Sequence, residues 1–200
     1  MSRRAPRKRS GRSERRRGLV VTEGTVTEPQ YLQLLKQAMP RSIASFTVCG
    51  EGTDPLRVVK RAVKEQAKSD HDWVVCLVDR DEHQTLEEAF ELARKHGIRV
   101  LVSNPCFDVW LLWHFKDWTR HSDSKKLQTE LKDLNASREK QEKHLSSSFP
   151  VKQYREAYTR ARRAEANQIG PNPSSGMPVL LDLPGAVQSR GVVGLVRGFA

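Results

Sequence analysis

The sequence predicts an α/β fold: a mostly parallel four-stranded sheet with helices on both faces and a helical extension towards the C-terminus. Three observations carry this expectation. Strand-like and helix-like segments alternate four times between residues 18 and 115, with short connections. The run "WVVCLV" (73–78) is continuously apolar, as suits a strand covered on both faces. Unusual polar chemistry collects at three of the four strand exits, the edge at which open α/β sheets bind ligands.

The elements follow in order. "GLVVT" (18–22) is a short β-branched strand stopped by Glu23-Gly24. "TEPQYLQLLKQAM" (27–39) reads as a helix, with Thr27 as N-cap, Pro29 in the first turn and an apolar stripe through Tyr31, Leu32, Leu34 and Leu35. "IASFTVC" (43–49) is the second strand. Thr53 or Asp54 caps the next helix, through "LRVVKRAVKEQAKS" (56–69). After the third strand, "TLEEAFELARKHG" (85–97) has Thr85 as N-cap, Glu88 to complete a capping box and Gly97 as stop. "IRVLVS" (98–103) is the fourth strand, and "FDVWLLWHF" (107–115) an amphipathic helix. Helical stretches are expected near 124–144 and a basic helix over 151–167, then a Pro/Gly/Ser loop at 170–178. The expected organisation is a disordered basic tail (1–17), an α/β core (18–118), a helical extension of the same domain (119–183) and a Gly-rich tail (184–200).

The 200 residues carry a net charge of +11, unevenly placed. Residues 1–18 hold nine Lys/Arg and one acid, a net of +8, which leaves 26 bases against 23 acids elsewhere, or +3. That tail has too few apolar residues to bury a face. It reads either as an electrostatic arm for nucleic acid or as a solvated tail. No apolar run approaches the roughly 18 residues of a membrane span, and no hydrophobic segment follows the N-terminal charges. A cytoplasmic protein is expected. Cys49, Cys76 and Cys106 are widely spaced and odd in number, as for reduced thiols.

The third strand stops at Asp79-Arg80-Asp81-Glu82-His83. In extended chain, residues i and i+2 point to one side, so Asp79 and Asp81 aim at one point. Their repulsion is relieved by a hard divalent ion such as Mg²⁺, which takes oxygen ligands. If the first and third strands are neighbours, Glu23 joins them as ligand or general acid/base. Gly24 then permits close approach of a phosphate. Glu28 either favours the positive end of its helix or is a second ligand, and Asp108 has the same two readings. His83, Ser103 and Asn104 are candidate phosphate contacts. Arg16, Arg17, Lys152 and Arg155 are candidate nucleic-acid contacts on basic segments. The bland alternatives are a solvated acidic loop and solvated helix faces. Trp110, Trp113, Phe115 and Trp118 are expected in the core, with His114 packed among them.

Four strings, "VVTEGTVTEPQYL", "VVCLVDRDEH", "AFELARKHGI" and "SNPCFDVWLLWHF", resemble in order and spacing the RloB-like proteins, bacterial proteins associated with phage resistance by abortive infection. The resemblance covers roughly 18–182, with a weaker echo in "NPSSGMPVLLDL". It implies a TOPRIM-like (Rossmann-like) domain. In that fold an acid-Gly after the first strand supplies the catalytic glutamate and a later D-x-D supplies Mg²⁺ ligands. Carried over, Glu23 is the catalytic acid/base, and Asp79 and Asp81 hold Mg²⁺ or Mn²⁺. The resemblance further implies a nuclease acting on DNA or RNA, with transfer RNA one substrate class. An AAA- or ABC-type ATPase partner is expected, and a homo-oligomer is open. Two positions depart from the family: Asp108 stands where glutamate is common, and a histidine usual after the late "NPS" is replaced near Met177-Pro178. The alternative function is a non-catalytic nucleic-acid-binding or regulatory subunit of a defence complex.

Overall fold

The computed structural model describes residues 17–39, 46–51, 54–80, 85–138 and 141–183. Asp81, His83 and Arg16 lie outside the described residues, as do both tails apart from Arg17.

A five-stranded sheet organises the chain. It contains β1 (Gly18–Thr22), β2 (Phe46–Gly50), β3 (Trp73–Asp79), β4 (Arg99–Asn104) and the two-residue β7 (Ser174–Ser175), in the order β2-β1-β3-β4-β7. The first four pair in parallel, and β7 runs antiparallel to β4. The sheet thus has one strand more than the sequence predicts. A two-residue strand inside a Pro/Gly/Ser stretch has too few side chains to show a period.

Alternate strand residues face opposite ways and build two cores. Leu19, Val21, Val74, Cys76, Val100 and Val102 pack on one face. Against them lie α2 (Pro55–Gln66) and α3 (Leu86–Lys95), through Val58, Val59, Ala62, Ala89, Phe90 and Ala93. On the other face Val20, Val75, Leu77 and Leu101 meet α1 (Thr27–Ala38), α4 (Asp108–Leu112) and α7 (Met177–Asp182). Tyr31, Leu32, Leu35, Trp110 and Trp113 are the large side chains there, all fully buried. Trp110, Trp113 and Trp118 are core, as expected, while Phe115 is half-buried and the helix expected over 107–115 is shorter, Asp108–Leu112.

Local chemistry sets several boundaries. Asp54 caps α2, accepting from the backbone N–H of Leu56 (3.1 Å) and Arg57 (3.3 Å), with Pro55 in the first turn. Gly97, at φ +66°, ends α3 in the left-handed region. Thr85 sits at the cap of α3, where its carbonyl accepts from Ala89 N–H (3.0 Å), but its side chain makes no cap bond to the helix. Its hydroxyl donates instead to Asp54 (3.2 Å), tying the starts of α2 and α3 together. Val26 takes the cap position of α1 in place of the expected Thr27, without a side-chain cap bond.

Beyond α4 the chain departs further from the expected helices. α5 (Ser124–Asp133) is capped by Asp123, whose carboxylate accepts from Lys126 N–H (2.7 Å). Asn135, at φ +52°, terminates the helical run, and β5 (Ser137–Arg138) and β6 (Gln141–Leu145) pair antiparallel. Gln30 of α1 explains the change: its Oε1 accepts from Leu145 N–H (2.9 Å), and Leu145 and Phe149 enter the core. The basic helix over 151–167 shortens to a 3-10 turn (Val151–Gln153) and α6 (Tyr154–Arg160). Residues 162–167 instead run along the sheet edge, where Ser175 N–H donates to Arg162 O (3.0 Å) and Asn167 N–H to Val100 O (2.8 Å). An edge strand's unpaired backbone groups outcompete helix propensity there. Among the described residues, no helix is long and apolar enough to cross a membrane.

His114 lies fully buried between α1 and α4. Its Nδ1 is 3.1 Å from the carbonyl of Trp110, which only accepts, so Nδ1 carries the proton. Nε2 then accepts from the Tyr31 hydroxyl (3.2 Å). Burial pushes the imidazole pKa down to about 4. An unfolded chain protonates this histidine below about pH 6.5, whereas the native state resists until about pH 4. The contribution of His114 to stability is therefore intact above about pH 6.5 and is lost between 6.5 and 4, by about 3 kcal/mol in all. In urea unfolding at pH 7.5 and 4.5, the wild type is expected to lose roughly 2–3 kcal/mol more than His114→Gln. Gly176 generates a second expectation. A Cβ there would lie 2.7 Å from Leu101 Cβ and 2.9 Å from its Cα, atoms fixed in a central strand. Gly176→Ala should cost about 1–3 kcal/mol, read as a lower urea midpoint with unchanged slope.

Candidate functional site

The site forms where β1, β3 and β4 end side by side. Glu23 N–H donates to Leu77 O (2.9 Å), which extends the β1–β3 ladder one residue past β1. The buried Thr22 hydroxyl donates to Gly24 O (2.7 Å), and Glu51 N–H donates to Thr22 O (3.0 Å). These bonds hold the Glu23-Gly24 turn against both neighbouring strands.

The turn directs the Glu23 carboxylate across the end of β3, where Oε2 accepts from Asp79 N–H (3.2 Å). Asp79 Oδ1 accepts in turn from Phe107 N–H (2.8 Å), at the entrance to α4. Arg80 N–H donates to Ser103 O (2.8 Å), locking the exits of β3 and β4 together. The Glu23 carboxylate thus reaches the backbone of Asp79 at the end of β3, and each acid has one oxygen held by a backbone donor. A backbone N–H donated to a carboxylate favours its charged form and offsets part of the repulsion between neighbouring acids.

Asp108, half-buried, opens α4 beside this pair. Burial pushes the Cys106 thiol well above its ordinary range, and the carboxylates of Asp108 and Asp79 push it further in the same direction. Cys106 is therefore inside the field of both acids. Cys106 and the Phe107 N–H are site components that sequence reasoning missed. Their signal was present, since they lie between the expected Asn104 and Asp108. Cys76 is also buried and free, and Cys49 is half-buried and free.

The other expected site residues separate by position. Glu28 is buried, and its Oε1 accepts from Gly24 N–H (3.0 Å). Ser103 and Asn104 end β4 but face inward. Ser103 Oγ pairs with Ser175 Oγ (3.0 Å), and Asn104 Nδ2 donates to Gly170 O (2.8 Å), while Asn104 Oδ1 is buried without a hydrogen-bond partner. These bonds join the strand exit to β7 and the 170–173 loop. Arg17 lies at the opposite edge of the sheet, its backbone exchanging bonds with Asp72 just before β3 (2.6 and 2.8 Å). Lys152 and Arg155 are exposed on the 3-10 turn and α6, with Arg155 lying over the Tyr154 ring. The expected Asp79–Asp81 alignment falls partly outside the described residues. Within them, no group of three or more His, Cys, Asp or Glu is arranged to hold a metal ion.

A family model described as "RloB-like protein" matches residues 18–183, from the first residue of β1 to one residue past α7. No curated protein and no solved structure matches the chain. The matched span takes in every strand end described above, and the chain belongs to the RloB-like protein family.

Proposed function

We propose that this chain is a Mg²⁺- or Mn²⁺-dependent nuclease of TOPRIM type, an effector of bacterial phage defence by abortive infection. The observation that carries the reading is the bond from Asp79 N–H to Glu23 Oε2, which brings acids from two parallel strands to one point at the sheet's carboxyl edge. That edge is the general ligand-binding side of an open α/β sheet.

The residues present fit a hard divalent ion. The side chains that Glu23 and Asp79 offer at this strand edge are carboxylates, and Mg²⁺ ordinarily takes one or two carboxylates, completing its shell with water and substrate phosphate. Asp79 and Glu23 would hold it, with Asp81 as the further carboxylate. When bound, such an ion supplies charge stabilisation to the oxygens exchanged in phosphodiester cleavage. The chain's own contributions are orientation and proton transfer. Phe107 N–H fixes the Asp79 carboxylate, and Asp79 N–H fixes that of Glu23. A carboxylate so placed takes a proton from an attacking water, or returns one to the departing oxygen. Asp108 adds negative charge beside Asp79, favouring a cation between the strands.

The substrate is DNA or RNA, with transfer RNA one class to test. The basic residues 1–18 supply general affinity for a phosphate backbone. The resemblance to phage-resistance proteins supports the defence setting and an AAA- or ABC-type ATPase partner that triggers cleavage.

The decisive assay offers plasmid, single-stranded DNA and total transfer RNA to the full chain, with and without a neighbouring ATPase. Cleavage is expected with Mg²⁺ or Mn²⁺ and should stop with EDTA. Glu23→Ala and Asp79→Ala should each lower the rate by about 10²–10⁴. Cleavage unchanged in both variants would sink the mechanism. Steeply salt-dependent binding without cleavage under any condition would favour a non-catalytic nucleic-acid-binding subunit.

A further inference from the structure

Two features of the Glu23-Gly24 turn are unexplained by a site in which Glu28 is a metal ligand. Glu28 is only 7% exposed, although it stands in the first turn of α1 beside the turn it would serve. Its carboxylate accepts from Gly24 N–H at 3.0 Å. A Cβ built on Gly24 would collide with both carboxylate oxygens of Glu28. The space that glycine leaves is thus filled from within the protein, and a phosphate could not occupy it as well.

We infer that Glu28 is a positioning residue, and that residue 24 is glycine because the Glu28 carboxylate lies where a side chain would begin. The force path is short. α1 seats Glu28 through Tyr31, Leu32 and Leu35, which are buried in the core. Glu28 fixes Gly24 N–H, and Thr22 Oγ1 fixes Gly24 O from the other side (2.7 Å). Both anchors hold the backbone of Gly24, and the residue immediately before it is Glu23, whose Oε2 accepts from Asp79 N–H. Without the Glu28 bond the turn keeps the Thr22 and Leu77 bonds, and the Glu23 carboxylate is held less firmly against Asp79. This assignment rests on the reading of Glu23 and Asp79 as the metal-binding pair. It adds the element that sets their separation.

Glutamine at position 28 keeps an oxygen that accepts from Gly24 N–H and loses the charge a metal ligand needs. Alanine loses both and also removes the obstacle to a Cβ on residue 24. Two measurements on the full chain separate the roles. The first is thermal unfolding, without metal, of Gly24→Ala, Glu28→Ala and the double variant. Gly24→Ala alone should lower Tm by roughly 5 °C, and by less than about 2 °C when Glu28 is already alanine. Equal losses in both backgrounds would overturn the steric assignment.

The second is the Mg²⁺ midpoint, read from the rise in Tm on titrating MgCl₂. Glu28→Gln should keep the wild-type midpoint within about twofold, and Glu28→Ala should raise it by about tenfold. A Glu28→Gln midpoint displaced as far as that of Asp79→Asn would make Glu28 a ligand and overturn the proposal. A wild-type chain with no response to Mg²⁺ would end the metal reading and with it the positioning role. The metal-free cycle would still decide why residue 24 is glycine.

Discussion

Carboxylates at the ends of neighbouring parallel strands repel one another, and a fold that gathers them must supply donors before any ligand arrives. Here the donors are backbone N–H groups. Asp79 gives its N–H to Glu23, and Phe107 gives its N–H to Asp79. Each bond needs the strands in register: Leu77 O must meet Glu23 N–H, and Ser103 O must meet Arg80 N–H. The acid pair is therefore a readout of sheet geometry, and anything that shifts β1, β3 or β4 shifts it.

The two cores explain why that geometry is firm. α2 and α3 cover one face with Val, Ala and Leu side chains and the single ring of Phe90. The other face is filled by aromatic bulk from α1 and α4, with Tyr31 in edge contact with Phe107, Trp110, His114 and Phe149. Phe107 joins the two halves of the account. Its ring packs against Tyr31 in the core, and its N–H holds Asp79 at the site. Packing between α1 and α4 thus fixes a hydrogen-bond donor of the candidate centre, linking fold stability to site geometry.

Much of this was legible in the sequence because it is written in local pattern. The apolar run 73–78 stops at Asp79, the run 18–22 stops before Glu23, Gly97 is a plain helix stop and Asp54 is one of the two caps the sequence offers for α2. What was not legible depends on partners distant in the chain. Ser103 and Asn104 face inward because Ser175 and Gly170, some seventy residues later, return to meet them. Residues 137–138 and 141–145 lie in a charged, helix-compatible stretch, yet they pair as antiparallel strands because Gln30 and the aromatic core receive Leu145 and Phe149. The short α6 follows the same logic, since 162–167 are drawn to an open sheet edge. Gly24 shows the limit of reading a glycine from sequence. Close approach was foreseen, but the approaching group is the chain's own Glu28.

The central claim is that Glu23 and Asp79 together form a divalent-cation site. Mn²⁺ binding followed by electron paramagnetic resonance tests it without any knowledge of the substrate. The account predicts that the wild-type chain removes the free Mn²⁺ signal saturably, that Mg²⁺ restores it by competition, and that Glu23→Gln and Asp79→Asn each weaken binding by tenfold or more. Mn²⁺ binding of equal strength in the wild type and both variants would contradict it.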